Sequence, residues 1–270
     1  MSGSLFLNAL SYCLTGLFAG LMAGLLGIGG GIIVVPALFF LFEQNPAISN
    51  NLAPHLAVGS SLAVMIFSSL AAIRAHHQRA NVSWSVFNHI WPGLVSGVIL
   101  AAVIARILPA DWLKAFLGVF LLGAAMRMRR GLPSRAEGSF PAAWINHCFS
   151  FLTGLISGLL GIGGGLMIVP YLAYCGVNIK KIAGISALCT LAVGAIGCLA
   201  FTIAGLTDRE LPYGAYGYVY WPAVIPIAIS SILFAPVGVS LNYRLPVKRL
   251  NIIFIIMLMV TAVNLLWDFV

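Results

Sequence analysis

Long apolar runs, each nearly free of charge, constrain this chain more than any other feature. They cover roughly residues 5–42, 56–73, 86–105, 113–126, 148–177, 182–206, 215–240 and 250–267. A membrane-spanning helix needs about 20 apolar residues. Most of these blocks supply one helix, although 113–126 is short and borrows from its flanks. A soluble domain carries about a quarter charged residues, whereas this chain is 7% charged and 61% hydrophobic, with mean hydropathy +1.05. So little charge leaves apolar side chains facing lipid. Lipid offers the backbone no hydrogen bonds, which leaves helices or a closed barrel, and runs without period-two alternation exclude the barrel. The expected fold is an all-α polytopic membrane protein with about eight transmembrane helices. Met1 to Ser4 lack the positive start of a signal peptide and no small-residue cleavage site is evident, so the first block is expected to stay as a span.

The net charge of +8 points to topology rather than nucleic acid, because the basic residues fall between the apolar blocks. The five cysteines, Cys13, Cys148, Cys175, Cys189 and Cys198, form no CxxC pair and sit in or beside apolar blocks. They read as small packing residues, and no metal or cofactor site is expected.

The strongest internal signal is a duplication. The octapeptide from Gly24 to Gly31, GLLGIGGG, recurs from Gly158 to Gly165, and the likeness runs on to Val35-Pro36 and Val169-Pro170. The offset of 134 residues (161 minus 27) is about half the chain. Weaker echoes pair Trp91-Pro92 with Trp221-Pro222, and Ala57 to Ser60 with Ala183 to Ser186. The expected organisation is two internal repeats, 1–126 and 144–270, joined by a basic linker at 127–143 that holds Arg127, Arg129, Arg130, Pro133, Arg135 and Gly138.

Orientation is balanced. If every block crosses once, one side carries Arg74, Arg79, Arg127, Arg129, Arg130, Arg135 and Arg209, and the other Arg106, Lys114, Lys180, Lys181, Arg244, Lys248 and Arg249. Seven against seven leaves the positive-inside rule undecided, though the dense linker favours a cytoplasmic linker. The tie also fits an arrangement in which one element per half enters and leaves on the same side.

The glycine runs predict broken helices. Residues 5–42 as one helix would be about 57 Å long, against an apolar core of about 30 Å. Each interior glycine costs a helix about 1 kcal/mol relative to alanine, and four occur between Gly27 and Gly31 and again between Gly161 and Gly165. Pro36 and Pro170 fit an early turn of a restarting helix. A restarting helix offers unpaired N–H groups and a positive dipole end, which with bare glycine backbone makes an anion site that needs no charged side chain. Two such ends converging inside the membrane recur in transporters. Gly20 and Gly24, like Gly154 and Gly158, have GxxxG spacing and read as packing faces.

The acidic residues Glu43, Asp111, Glu137, Asp208, Glu210 and Asp268 all lie in loops or at block ends. Proton and cation sites use buried carboxylates, so the interior suits an anion. The candidate binding residues are Gly27, Gly29, Gly30, Gly31, Ser60, Ser61, Gly161, Gly163, Gly164, Gly165, Ser186 and Thr190, with His55 and Lys181 placed to steer the anion. His76 and His77 with Arg74 and Arg79 read as a basic loop. No acid, base, nucleophile or metal cluster with recognisable spacing is present, so no catalytic residue and no enzyme activity are expected. The expected partners are a small anionic solute and membrane lipid, not nucleic acid. A transporter or channel for another small anion such as a carboxylate is the nearer alternative, and an embedded enzyme and a passive anchor are the competing classes.

With the paired GLLGIGGG segments, the Ala-x-x-Ser stretch after each, the two-fold repeat and the length of 270 residues, the chain resembles the sulfite exporter TauE/SafE family of membrane permeases over essentially its whole extent. The resemblance implies a multi-pass protein of the cell (inner) membrane that moves sulfite, sulfoacetate or related organosulfonates, usually outward. The hydroxyl pair at Ser60-Ser61 is kept, but the second half reads Ser186-Ala187, so one hydroxyl of a symmetric site is missing.

Overall fold

The computed structural model describes residues 2–27, 29–78, 81, 83–129, 140–208, 210–244, 252, 255–256 and 258–263. Most of the expected linker, Arg79, Arg209 and much of the last apolar block lie outside these residues. The described chain forms α1 (Ser2–Leu26), α2 (Gly31–Glu43), α3 (Ala53–His77), α4 (Trp84–Ile107), α5 (Ala110–Arg129), α6 (Ala143–Leu160), α7 (Gly165–Tyr174), α8 (Ile179–Gly205), strands β1 (Ala215–Tyr216) and β2 (Val219–Tyr220), and α9 (Trp221–Arg244). Five described helices are long and apolar enough to cross a membrane: α3, α4, α6, α8 and α9. Exposed apolar side chains, among them Phe18, Val103, Leu199, Ile229 and Leu233, stud the helices, as a lipid-facing surface requires. Among the described residues no Asp, Glu, Lys or Arg is buried. The chain is an all-α polytopic membrane protein; its sheet is a two-residue antiparallel ladder pairing Ala215 with Tyr220 and Tyr216 with Val219.

Small residues set the packing. Gly16, Gly20 and Gly24 of α1 lie in turn against Ile227, Ser231 and Ala235 of α9, so the two helices run in the same direction. Gly93 and Gly97 of α4 lie against His147 and Phe151 of α6, and Gly158 against Ala101, so this pair is also parallel. A side chain at any of these positions would hold the backbones apart, which is the reason for glycine at close helix crossings. The expected packing role of Gly20, Gly24, Gly154 and Gly158 matches this geometry.

The direction of the short helices revises the single-crossing count. The ring of Phe42, at the end of α2, meets Tyr220 edge-on at 5.5 Å, and Tyr220 directly precedes α9. Because α1 starts beside the start of α9, α1 and α2 form a hairpin that enters and returns on one face. In the second half Phe149 stacks on Tyr171 at 4.0 Å, and the Tyr171 hydroxyl donates to Asn146 Oδ1 at 2.8 Å. That brings the end of α7 back beside the start of α6. The blocks 5–42 and 148–177 are therefore hairpins and not single spans. The first face gathers the ends of α2, α4 and α8 and the starts of α1, α3, α5 and α9. His55 approaches Ala105 O there, Arg106 donates to Thr207 Oγ1, and Lys114 pairs with Glu43. The second face gathers the opposite ends, including the hairpin base of α6 and α7.

Two smaller features also differ from expectation. His76 and His77 belong to the last turn of α3, and His76 is buried, so they do not form a loop. The block at 215–240 opens with the β-hairpin before α9 begins. All five cysteines are free; Cys175 and Cys189 are buried, whereas Cys13 and Cys148 are exposed.

Candidate functional site

Both glycine runs break the helix. After α1, Gly27, Gly29 and Gly30 take φ of 67°, 76° and 73°, and after α6, Gly161 takes φ of 62°. L side chains avoid this left-handed region, so the reversal of direction depends on glycine. Pro36 and Pro170 each fall in the second turn of the helix that restarts. Gly27, Gly29, Gly30, Gly31 and Gly161, Gly163, Gly164, Gly165 are all buried.

The two tips reach past one another. Gly27 lies against Ala183, near the second-face end of α8, and a Cβ on Gly161 would come within 3.0 Å of Val58, near the first-face end of α3. Between them the tips touch: a Cβ on Gly31 would overlap Gly161 O.

Hydroxyls from the long central helices bind the tips crosswise. Ser61 Oγ of α3 donates to Gly161 O at 2.8 Å. Ser186 Oγ and Thr190 Oγ1 of α8 donate to Gly27 O at 2.9 and 3.2 Å. Each half thus supplies the donor for the other half's break. Ser68 Oγ adds a bond to Gly29 O at 3.0 Å, and Asn242 Nδ2 donates to Leu25 O. Ser68 and Asn242 are not among the residues expected from sequence. Ser68 lies seven residues beyond Ser61, two helical turns along one face, and that spacing was the available signal.

Ser60 has a different partner from the one its alignment with Ser186 implied. Its Oγ accepts the Tyr220 N–H at 2.9 Å, so that bond leaves the serine proton uncommitted. The residue that matches Ser186 in role is Ser61. His55 is buried, with Nε2 2.9 Å from Ala105 O and Nδ1 3.3 Å from Asn51 O. It sits about one turn outward of Val58, toward the first face. Lys181 is exposed on the second face, two residues before Ala183. Neither reaches the tips.

The chemical result is one-sided. Side-chain donors take the carbonyls at the ends of the incoming helices, which are the negative dipole ends. The restarting helices α2 and α7 begin at glycines, which have no side chain to cap them, and Ile33 and Val34 bond Gly30 O as Met167 and Ile168 bond Gly164 O. The carbonyls of Gly27, Gly29 and Gly161 thus have side-chain donors, and the restarting N-termini of α2 and α7 bring positive dipole ends to the tips.

The sequence model described as sulfite exporter TauE/SafE matches residues 12–265. The chain belongs to the sulfite exporter TauE/SafE family. Relatives of this family member include a "probable membrane transporter protein" of Haemophilus influenzae, 29% identical over 93% of this chain and 96% of the relative. Another of that description, from Methanocaldococcus jannaschii, is 28% identical over 88% of each chain. A third, from Bacillus subtilis, is 22% identical over 94% of this chain and 95% of its own. No solved structure matches. The protein is an integral, multi-pass membrane transporter of this family.

Proposed function

We propose that this transporter carries a small sulfur-containing anion, sulfite or an organosulfonate, outward across the cell membrane, binding it between the two glycine tips. The observation that carries the reading is the meeting of two restarting helix N-termini at the tips, beside carbonyls bound by Ser61, Ser186 and Thr190. Helix N-termini and bare glycine backbone suit an anion, and the absence of buried carboxylates among the described residues removes the usual cation ligands. Ser60, buried beside Ser61 and with its proton uncommitted by the Tyr220 bond, is a further hydroxyl available to the anion.

We read residues 1–126 and 144–270 as inverted repeats. The packing supports this: exchanging α1 to α4 for α6 to α9 turns the α1–α9 pairing into the α6–α4 pairing, and the hairpins enter from opposite faces. The membrane potential supplies the driving force, since one charge crossing 100 mV is worth about 2.3 kcal/mol. In a cell with a negative interior this favours anion efflux, so uniport suffices.

The test is flux from liposomes holding the purified protein, screened over sulfite, thiosulfate, sulfoacetate, taurine and simple carboxylates. The expected result is flux of one or more of the sulfur anions above the carboxylates. Carboxylate flux alone would replace the substrate class, and no anion flux at all would sink the reading.

A further inference from the structure

A cavity of about 360 Å³ opens on the first face, lined among others by His55, Arg106, Asp111, Asp208, Glu210 and Tyr218. It lies directly above the tip of the second hairpin. From His55 to Ser61 is six residues of α3, about 9 Å at helical rise, and Ser61 binds Gly161 O. The β-hairpin at 215–220 packs on that stretch of α3, which Gly161 also meets at Val58. The Tyr218 ring lies on the His55 ring at 5.2 Å, its backbone packs on Gly59, and the Tyr220 N–H bonds Ser60.

That layer is seated by close backbone packing on Gly59 and Gly205, with little pairing of its own. Two-residue strands have little stability of their own. Tyr218 OH donates to Asp208 Oδ2 at 3.3 Å, Tyr218 N–H to Phe201 O at 3.3 Å, and Trp221 N–H to Gly214 O at 3.3 Å. All three are at the long end for hydrogen bonds. Burial, and next the Asp208 carboxylate, push the Tyr218 phenol up from its ordinary value, so it keeps its proton as a donor.

The charge around the cavity differs from that of the opposite face. Among the described residues, Asp111, Asp208 and Glu210 outnumber Arg106 at the mouth. Such a mouth keeps anions scarce in the cavity from either side, so the outward direction comes from the membrane potential and not from the mouth. The second face carries the opposite sign, with Arg74, Arg127, Arg129, Lys180, Lys181 and Arg244 at its helix ends.

We propose that the first-face cavity is the release vestibule of the anion path and that the 215–220 hairpin is its gate, with Tyr218 as the plug between vestibule and tip. The proposal rests on the tips being the anion site. When the hairpin lifts from α3, Ser60 loses its Tyr220 bond and the Gly161 tip opens to the first face.

Cysteine accessibility tests this. Ser60→Cys is placed in a chain whose five native cysteines are replaced, reconstituted in liposomes, and exposed from the first face to 2-sulfonatoethyl methanethiosulfonate. Asn51→Cys, exposed in the vestibule, serves as the folded reference. With Tyr218 in place the Ser60→Cys thiol is expected to react slowly. Tyr218→Ala is expected to speed it at least about tenfold, and Tyr218→Phe, which loses only the bond to Asp208, by a smaller factor. Asn51→Cys is expected to react alike in all three backgrounds. Equal Ser60→Cys rates with and without the Tyr218 ring, at an unchanged Asn51→Cys rate, would overturn the gate. Should Tyr218→Ala misfold, Tyr218→Val removes the ring in its place, and no acceleration there overturns the gate. Flux separates the two readings. Open labelling without flux of any candidate anion leaves the gate and removes the anion site, whereas flux with unchanged labelling does the reverse.

Discussion

Gly27 O and Gly161 O are buried carbonyls that depend on side-chain hydroxyls, and the two halves provide for them unequally. Gly161 O receives Ser61, whereas Gly27 O receives both Ser186 and Thr190. Leaving a buried acceptor without a donor costs about 1–3 kcal/mol, whereas losing one of two donors costs less. Ser61→Ala is therefore expected to lower thermal stability in detergent clearly, and Ser186→Ala or Thr190→Val alone only slightly. The Ser186→Ala/Thr190→Val double variant should match Ser61→Ala, a loss greater than the sum of its parts. Additive small losses in the second half would show that these hydroxyls do not secure the tip.

The helix breaks were legible because four glycines in five residues oppose helix on propensity alone. The return of the chain was not, because the direction taken after a break depends on what the restarting helix packs against. Phe42 against Tyr220 and Tyr171 against Phe149 settle it, and both contacts join residues far apart or across the break. The length of 5–42, too long for one span, and the balanced basic residues were the only hints. Ser60 and Ser186 aligned in sequence, yet Ser61 and Ser186 do the matching work, because register at a tip is set by tertiary contact. The β-hairpin was invisible for a simpler reason: its tyrosines and valine continue an apolar block. The hairpin topology makes its own prediction. Single cysteines at Asn178 and Arg127 are expected to react with an impermeant thiol reagent from the same side, and one at Thr207 from the other. Eight single crossings would instead put Arg127 with Thr207 and leave Asn178 opposite.

The same topology removes the seven-to-seven tie. Among the described residues Arg74, Arg127, Arg129, Lys180, Lys181 and Arg244 share the second face, and Arg106 and Lys114 the first. Six against two places the second face in the cytoplasm under the positive-inside rule. A reporter domain inserted at Asn178 is expected to show cytoplasmic activity, and one at Thr207 external activity; the reverse would invert the direction argued for the vestibule. An anion would then load at a basic inner face, pass the crossed tips, and leave through an acidic mouth. All of this depends on the buried backbone at Gly30, Gly31 and Gly164, where two helices restart, holding a negative solute. Calorimetric titration of sulfite into purified protein tests that most directly, comparing wild type with Gly31→Ala, whose methyl would push Gly161 O away, and with Gly123→Ala, whose methyl meets nothing within 4 Å. Wild type and Gly123→Ala are expected to bind alike and Gly31→Ala at least about tenfold more weakly, a loss of about 1.4 kcal/mol. Equal binding by all three proteins would contradict the account.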